Sequence, residues 1–589
     1  MLSLSKRYSR VLIYISSILL LFLIIHRYQQ HISLFGTTLR PFSPLLGTHS
    51  LSTEAKIILD SNGLSDIDPS SQVVVNIGHL DCFHVTKRHL QHCTISNQLS
   101  QSSHDGKDLQ ISRHIIKKDL RGSFGYRWFS KSQYLFYETV PITLLLIGND
   151  NNGKDESNNI LQGIVSISKT KTSKSTTVGD LEIATLPFTV DNLRQQNQYY
   201  PGFISDLNIL FGIDCVEPRF GWILNKDWTL IDEAYSRFPS YLSTRYLINK
   251  EEKVSLSQPL RPNKETGKFK IVQLADLHMA VGENTCRDEF PKTDEDCKAD
   301  PKTLKFIESV LDIESPQLVI YTGDQIMGDL SIQDSETTLL KALSPVISRR
   351  LSWAMVWGNH DDEGSLSRWQ LSELASILPF SLFQFSPKDT NDNSFGVGNY
   401  VENIYDYSNE LKITLYFLDS HKYSKNGKIF PGYDWIKEDQ WEYMKSLHSS
   451  TPENKGISMA FFHIPLPEYL DLDSKKVPSQ QNEIVGQFKE GVTAPKYNSG
   501  GLSTLQELGV TVTSCGHDHC NDYCLRDDST PSMIWLCYGG SAGEGAYAGY
   551  GGTERRIRVF EIDTTDNSVY TWKRLNGSPS EIFDKVKLQ

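Results

Sequence analysis

Five short runs, each an apolar strand-like stretch ending in Asp, Asn or His, constrain this chain more than any other feature. In order they are 271–278 (IVQLADLH), 318–324 (LVIYTGD), 355–361 (MVWGNHD), 460–463 (AFFH) and 511–519 (TVTSCGHDH). Runs of this apolar, β-branched kind read as buried strands that deliver a polar side chain at their C-terminal ends. The side chains delivered are Asp276, His278, Asp324, Asn359, His463, His517 and His519. Carboxylate, amide carbonyl and imidazole together suit hard and borderline divalent ions such as Mn, Fe and Zn, whereas soft ions prefer thiolate. Two such ions about 3.5–4 Å apart need an oxygen ligand in common, and Asp324 is the natural bridge. One His after a strand is usually a satisfied buried residue, and Gly-Asp at a strand end is as often a turn. Five such endings in succession are not explained that way.

The ordered series D-x-H, GD, GNHD, H and GHxH resembles the calcineurin-like metallophosphoesterase superfamily. Flanking stretches resemble one branch of it, which groups a fungal phosphatase that regulates the cell cycle with plant enzymes named after purple acid phosphatases. These stretches are the loop from Cys286 to Cys297, His463 with the following IPLPEY, the run from Gly516 to Tyr523, and RRIRVF from Arg555. The likeness covers 268–589 and extends upstream through 211–219 (FGIDCVEPR). It implies an α/β fold, a two-sheet sandwich flanked by helices, with the site at the strand C-terminal edges. It further implies one metal held by Asp276, His278, Asp324 and His519, and a second held by Asp324, Asn359, His463 and His517.

The activity implied by the resemblance is that of a phosphatase in which metal-bound hydroxide attacks a phosphomonoester, a phosphoprotein being the expected substrate. Its cofactors would be two divalent or mixed-valence transition metals, Mn, Fe or Zn. His360 is implied as a catalytic residue giving a proton to the departing alcohol, oriented by Asp324, with Asp361 the acidic residue beside it. A phosphodiesterase on a small substrate is an alternative, because the same metals cleave either ester. A second is a membrane-anchored regulatory binding protein with a weakly active phosphoesterase domain. Met327 stands where true purple enzymes carry the iron-binding Tyr. A thioether does not replace a phenolate on ferric iron, so a colourless enzyme is expected.

Residues 11–25 form an apolar run preceded by Lys6, Arg7 and Arg10 and followed by Arg27. A full membrane span takes about 20 residues, so the run fits a signal-peptide core or a short anchor. The absence of an adjacent small-x-small site favours an uncleaved anchor, and the basic flank keeps the N-terminus cytosolic. The expected order is a tail and anchor over 1–30, a stalk over 31–70, a mainly β accessory domain over 71–250, a linker over 251–267 and the catalytic domain over 268–589. The catalytic domain is then lumenal or external, with a cytoplasmic placement as the alternative; one N-x-S/T sequon, at Asn576, sits in it.

A net charge of −12 argues against a nucleic-acid partner, since phosphate tracking needs clustered Lys and Arg. Cys286 and Cys297 bracket a polar loop and are the candidate disulfide. Cys515, Cys520, Cys524 and Cys537 lack paired C-x-x-C spacing, which disfavours structural zinc. The Gly-rich run 538–552 lacks G-x-x-x-x-G-K and is not a nucleotide loop; Tyr547 and Tyr550 within it are either pocket wall or plain loop. Arg555 and Arg556 read as structural before they read as a phosphate clamp. Asp362, Glu363 and Asp522 read first as solvated acids and second as acids that orient a His near the metals.

Overall fold

A computed structural model describes residues 71–84, 111–121, 130–143, 162–169, 181–188, 202–231 and 236–247 of the first part of the chain, with parts of 56–70, 102–109, 145 and 191–193. From 259 onwards it describes all but 293–294, 387–393, 426, 452–455, 472–483, 528–531 and 550. The apolar run 11–25, most of the stalk and residues 251–258 of the linker lie outside the described residues. Among the described residues no helix is long and apolar enough to cross a membrane.

The region before 250 is built of strands, as its short apolar runs predict. β1 (Gln72–His84), the hairpin β2 (Ser102–His104) and β3 (Lys107–Leu109), β4 (Ser112–Ile115) and β5 (Ser130–Pro141) come first. β6 (Gln162–Lys169), β7 (Leu181–Pro187), β8 (Ile204–Phe211), β9 (Trp222–Asn225) and β10 (Ser240–Tyr246) follow. They form sheets of order β1-β5-β4 and β8-β10-β9 and the hairpins β2-β3 and β6-β7. The region is not closed upon itself. Leu210, Cys215 and Tyr241 belong to the large core of the following domain, so the predicted accessory unit shares part of its interior with its neighbour.

From 268 the chain forms two mixed sheets. The first has order β13-β12-β11-β21-β22-β23 and the second β14-β15-β16-β18-β20-β19-β17. Their strands are β11 (Lys268–Leu274), β12 (Leu318–Thr322), β13 (Ser352–Val356), β14 (Tyr400–Tyr405), β15 (Leu411–Phe417), β16 (Ile457–Phe461), β17 (Ile484–Val485) and β18 (Val512–Cys515). The series ends with β19 (Cys524–Asp527), β20 (Ile534–Tyr538), β21 (Arg556–Asp563), β22 (Ser568–Leu575) and β23 (Ser578–Lys587). β11, β12 and β13 run parallel, and so do β15, β16, β18 and β20. This is why these runs are apolar on both faces: a parallel strand is covered on either side.

Alternation along one strand shows the layering. In β16, Ile457, Met459 and Phe461 enter the core shared by both sheets, whereas Ala460 and then Phe462 enter a second core. That second core takes Trp441 and Met444 from α4 (Glu438–Ser449) and Leu502 and Leu505 from α5 (Gly501–Glu507). On the first sheet, α1 (Ala299–Glu314), α2 (Ser335–Ser348) and α3 (Arg368–Ile377) supply Phe306, Leu339 and Leu371. The result is a two-sheet sandwich with helices against both sheets, as the resemblance implies.

Candidate metal centre

All five strand-end runs converge on one place. Asp276 and Asp324 lie two residues past β11 and β12, Asn359 three past β13, and His463 and His517 two past β16 and β18. Four of the ligand positions leave their strands in the left-handed region: Asp276 at φ 53°, His278 at 50°, Asp324 at 51° and His517 at 80°. Non-glycine residues adopt this conformation at a cost, and such strain gathers at functional sites. The glycines beside the ligands also supply space. A Cβ on Gly323 would stand 2.2 Å from His463 Nδ1, and one on Gly358 would stand 2.1 Å from Asp324 Oδ1.

Asp276, His278, Asp324 and His519 are all buried, and one donor atom from each lies within 4.8 Å of every other. His278 Nε2 faces His519 Nε2 at 3.1 Å, and His519 Nε2 is 3.5 Å from Asp276 Oδ1. A second set adjoins the first. His463 Nε2 is 3.1 Å from Asn359 Oδ1, 3.3 Å from His517 Nδ1 and 3.4 Å from Asp324 Oδ2. Asp324 Oδ2 also lies 3.6 Å from His278 Nε2, so a single carboxylate oxygen stands between the two sets. The structure therefore brings together all seven residues singled out as ligands.

Hydrogen bonding aims the rings. His463 Nδ1 lies 2.9 Å from the Thr322 carbonyl, which can only accept, so Nδ1 carries a proton and Nε2 is the atom turned towards the donor set. His278 Nδ1 contacts Met327 Sδ at 3.1 Å, placing the thioether behind the ring and away from the donor set. His517 Nε2 and His519 Nδ1 are buried without a partner among the described residues. Burial, foremost, lowers His278 to about 3 and holds His517 and His519 well below the imidazole range. Neutral imidazoles are the form that binds a metal. Burial also pushes Asp276 up to about 8, whereas Asp324, although burial opposes its charge, is held well below the carboxylate range by His463 and His278. Paired imidazole nitrogens and buried carboxylates converging on one space fit two cations.

His360 sits at the open side with its ring centroid 5.5 Å from that of His278. The residue orienting its ring is Glu363, whose Oε2 lies 2.6 Å from Nδ1; Asp324 instead accepts the His360 backbone N–H at 2.9 Å. Burial lowers the His360 pKa, but Asp324 and Glu363 outweigh it and leave the imidazole raised. Asp361 departs from the expected catalytic role. It is fully buried, and its oxygens accept the backbone N–H groups of Gly358 (2.6 Å), Ile326 (3.0 Å) and Asp324 (3.1 Å). It clamps one ligand loop to another and does not face the open site.

The other acids are also engaged. Asp362 pairs with Lys422 at 2.7 Å, and Asp522 pairs with Arg556 and Lys573, so neither is a merely solvated charge. Arg555 and Arg556 are buried and donate chiefly to backbone carbonyls, which is a structural role. Tyr547 stacks on His519 at 3.9 Å between centroids, its hydroxyl donating to Glu490; Tyr550 lies outside the described residues. Tyr433, which no pattern marks in the sequence, meets His517 edge-on at 4.3 Å. Glu363 was detectable as the i+3 neighbour of His360. Cys286 is bonded to Cys297 and Cys524 to Cys537, while Cys515 and Cys520 are free and buried.

Comparison with known proteins gives concordant findings. The family model described as calcineurin-like phosphoesterase matches residues 269–521. "Phosphatase DCR2" of Saccharomyces cerevisiae is 54% identical over 528 residues, covering 89% of this chain and 89% of that protein. "Probable inactive purple acid phosphatase 29" of Arabidopsis thaliana is 36% identical, covering 55% of this chain and 86% of its own length. "Probable inactive purple acid phosphatase 28" of the same plant is 35% identical, covering 61% and 94%.

Proposed function

The chain belongs to the calcineurin-like phosphoesterases, and from that membership we propose a two-metal phosphatase that hydrolyses phosphomonoesters, phosphoproteins among them. It is an enzyme, a metal-dependent phosphoric ester hydrolase. The observation that carries the reading is the pair of donor sets sharing Asp324 Oδ2. Bound divalent cations supply charge that stabilises phosphoryl oxygens and lowers the pKa of water towards neutrality. The chain supplies the rest. Asp276, His278, Asp324 and His519 would hold one ion; Asp324, Asn359, His463 and His517 would hold the other. His360, with Nδ1 engaged by Glu363, keeps Nε2 to deliver a proton to the departing alcohol oxygen. Tyr433 and Tyr547 flank the ligand rings and restrict the approach of water.

Which metals bind, Mn, Fe or Zn, is set by a site without the purple enzymes' tyrosinate, Met327 standing in its place. A phosphomonoester is favoured over nucleic acid by the net charge of −12. The names of the plant relatives raise a second reading, in which such a domain sequesters rather than cleaves; the complete donor set of this chain favours catalysis. We place the chain in the membrane through residues 11–25, with the catalytic domain lumenal or external. The Cys286–Cys297 and Cys524–Cys537 bonds support this, since disulfides persist in oxidising compartments.

The deciding experiment is hydrolysis of a phosphomonoester and a phosphodiester by protein reconstituted with Mn, Fe or Zn, with Asp324→Asn and His360→Ala as controls. The monoester should be the better substrate, and both variants should lose at least about 100-fold, the scale of a general acid. Wild type and variants equally inert with every metal would end the enzymatic reading. Protease protection in sealed microsomes tests the topology; digestion of the C-terminus without detergent refutes a lumenal domain.

A further inference from the structure

The stretch 211–219 contains no metal ligand, yet it reaches the metal centre through one buried cation. β8 ends at Phe211, and the chain turns at Gly212 with φ 95°, closed by the Cys215 N–H donating to the Gly212 carbonyl at 3.2 Å. A Cβ on Gly212 would stand 2.8 Å from the backbone nitrogen of Gly282. The turn is thus pressed against the loop that leaves His278. From this turn Asp214 Oδ2 meets Lys341 Nζ at 2.6 Å.

Lys341 lies on α2 with no exposed side-chain surface. Its ammonium also donates to the carbonyls of Ala280 (2.6 Å) and Gly282 (2.9 Å) and pairs with Asp300 at 2.5 Å. Asp300 in turn accepts the Ala280 N–H at 2.9 Å. The three donors of one ammonium are therefore shared between two carboxylates, one from each region, and the backbone of 280–282. Burying an ammonium is costly unless its partners are well placed, so its position is closely determined. If the carboxylate of Asp214 is removed, the ammonium is drawn towards Asp300, and the carbonyls that it holds move with it. A separate set of ion pairs docks the same two regions without touching this loop. In it Lys118 and Arg219 meet Glu336, and Lys118 meets Asp334, the residue preceding α2.

We propose that Asp214 is a positioning residue for the metal centre, setting through Lys341 the loop that carries His278. The β region before 250 thereby completes the ion site formed by Asp276, His278, Asp324 and His519. The proposal rests on the two-metal reading. The test is calorimetric titration of Mn into the metal-free full chain, where two binding steps are expected and His278→Ala identifies the step belonging to that site.

Asp214→Asn should weaken that step about 10-fold, the lower end for loss of an outer partner, and leave the other unchanged. Gly212→Ala, which pushes the turn against Gly282, should give the same step-specific loss by another route and decides the matter should Asp214→Asn not fold. Glu336→Gln should lower the melting temperature and leave both steps in place. The proposal is overturned if Asp214→Asn matches wild type, if both steps weaken equally, or if Glu336→Gln reproduces the step-specific loss. Wild type binding fewer than two ions refutes the two-metal reading itself, and the proposal falls with it.

Discussion

Replacing Asp361 by Ala removes three hydrogen bonds at once. Its carboxylate accepts the N–H groups of Gly358, Ile326 and Asp324, all buried. A buried donor left without a partner costs about 1–3 kcal/mol, so three set a range of roughly 3–9 kcal/mol. Part of this is offset. Burial first, and the charge of Asp324 second, push the Asp361 carboxyl up to about 7, a strain that Ala does not carry, and water can enter the space left. The net loss should be about 3–5 kcal/mol by the same accounting. Urea unfolding of the metal-free chain measures it, and the loss should grow when metal is present, because both tethered loops carry ligands. Asp361→Asn keeps one accepting oxygen and should fall between. A variant within about 1 kcal/mol of wild type, smaller than the cost of one unsatisfied donor, would refute the clamp. Loss of kcat with stability intact would restore Asp361 to the catalytic role that its place beside His360 suggested.

The same geometry sets three further outcomes. Arg368, buried, pairs with Asp419 at 2.5 Å and donates to the Gly358 carbonyl at 2.6 Å; Arg368→Met strands a buried carboxylate and should cost about 3–5 kcal/mol in urea unfolding. Glu363→Ala frees the His360 ring, and steady-state kinetics should show kcat falling about 10-fold with little change in KM, below the full value of a general acid. Burial pushes Glu402 up to about 7 against a hydrogen bond from Gln384. The folded value lies above the unfolded one, so the stability that the protonated group contributes is complete below about 4.3 and is lost as pH rises through 7. Glu402→Gln should therefore be near neutral at pH 4 and stabilising by about 3 kcal/mol at pH 8; a difference independent of pH counts against it.

What could be read in the sequence is what a strand carries with it. Residues 318–324 declare a buried parallel strand by composition and a ligand by position, and the same holds for 271–278 and 511–519. The seven ligands were therefore visible one by one. Their partners were not, because each contact joins residues far apart in the chain. His463 owes its tautomer to Thr322, and His278 faces His519 across 241 positions. Roles assigned by neighbourhood failed for this reason. Asp361 follows His360 in sequence yet turns inward to three N–H groups, and Asp362 finds Lys422 rather than solvent. The β region before 250 was recognisable as strands, but its shared core and its reach to Lys341 depend on packing that no local pattern encodes.

The strained backbone at the ligands bears on how the site works. Asp276, His278, Asp324 and His517 each hold a left-handed φ, at about 1–3 kcal/mol apiece. Strain of that total persists only where surrounding structure over-determines it. Here the surroundings are identifiable: Asp276 accepts the His517 N–H, the His278 N–H donates to the Asp324 carbonyl, and the Asp276 N–H donates to the Gly323 carbonyl. Each strained residue is thus fixed by another from a different strand end. Loosening one of these contacts should weaken the others that hold the same ion, so substitutions among them should be non-additive in the affinity of that ion. Metal affinities that added independently across, for example, Asp361→Asn and Asp214→Asn would show the loops to be separate, and the interlocked account would fail.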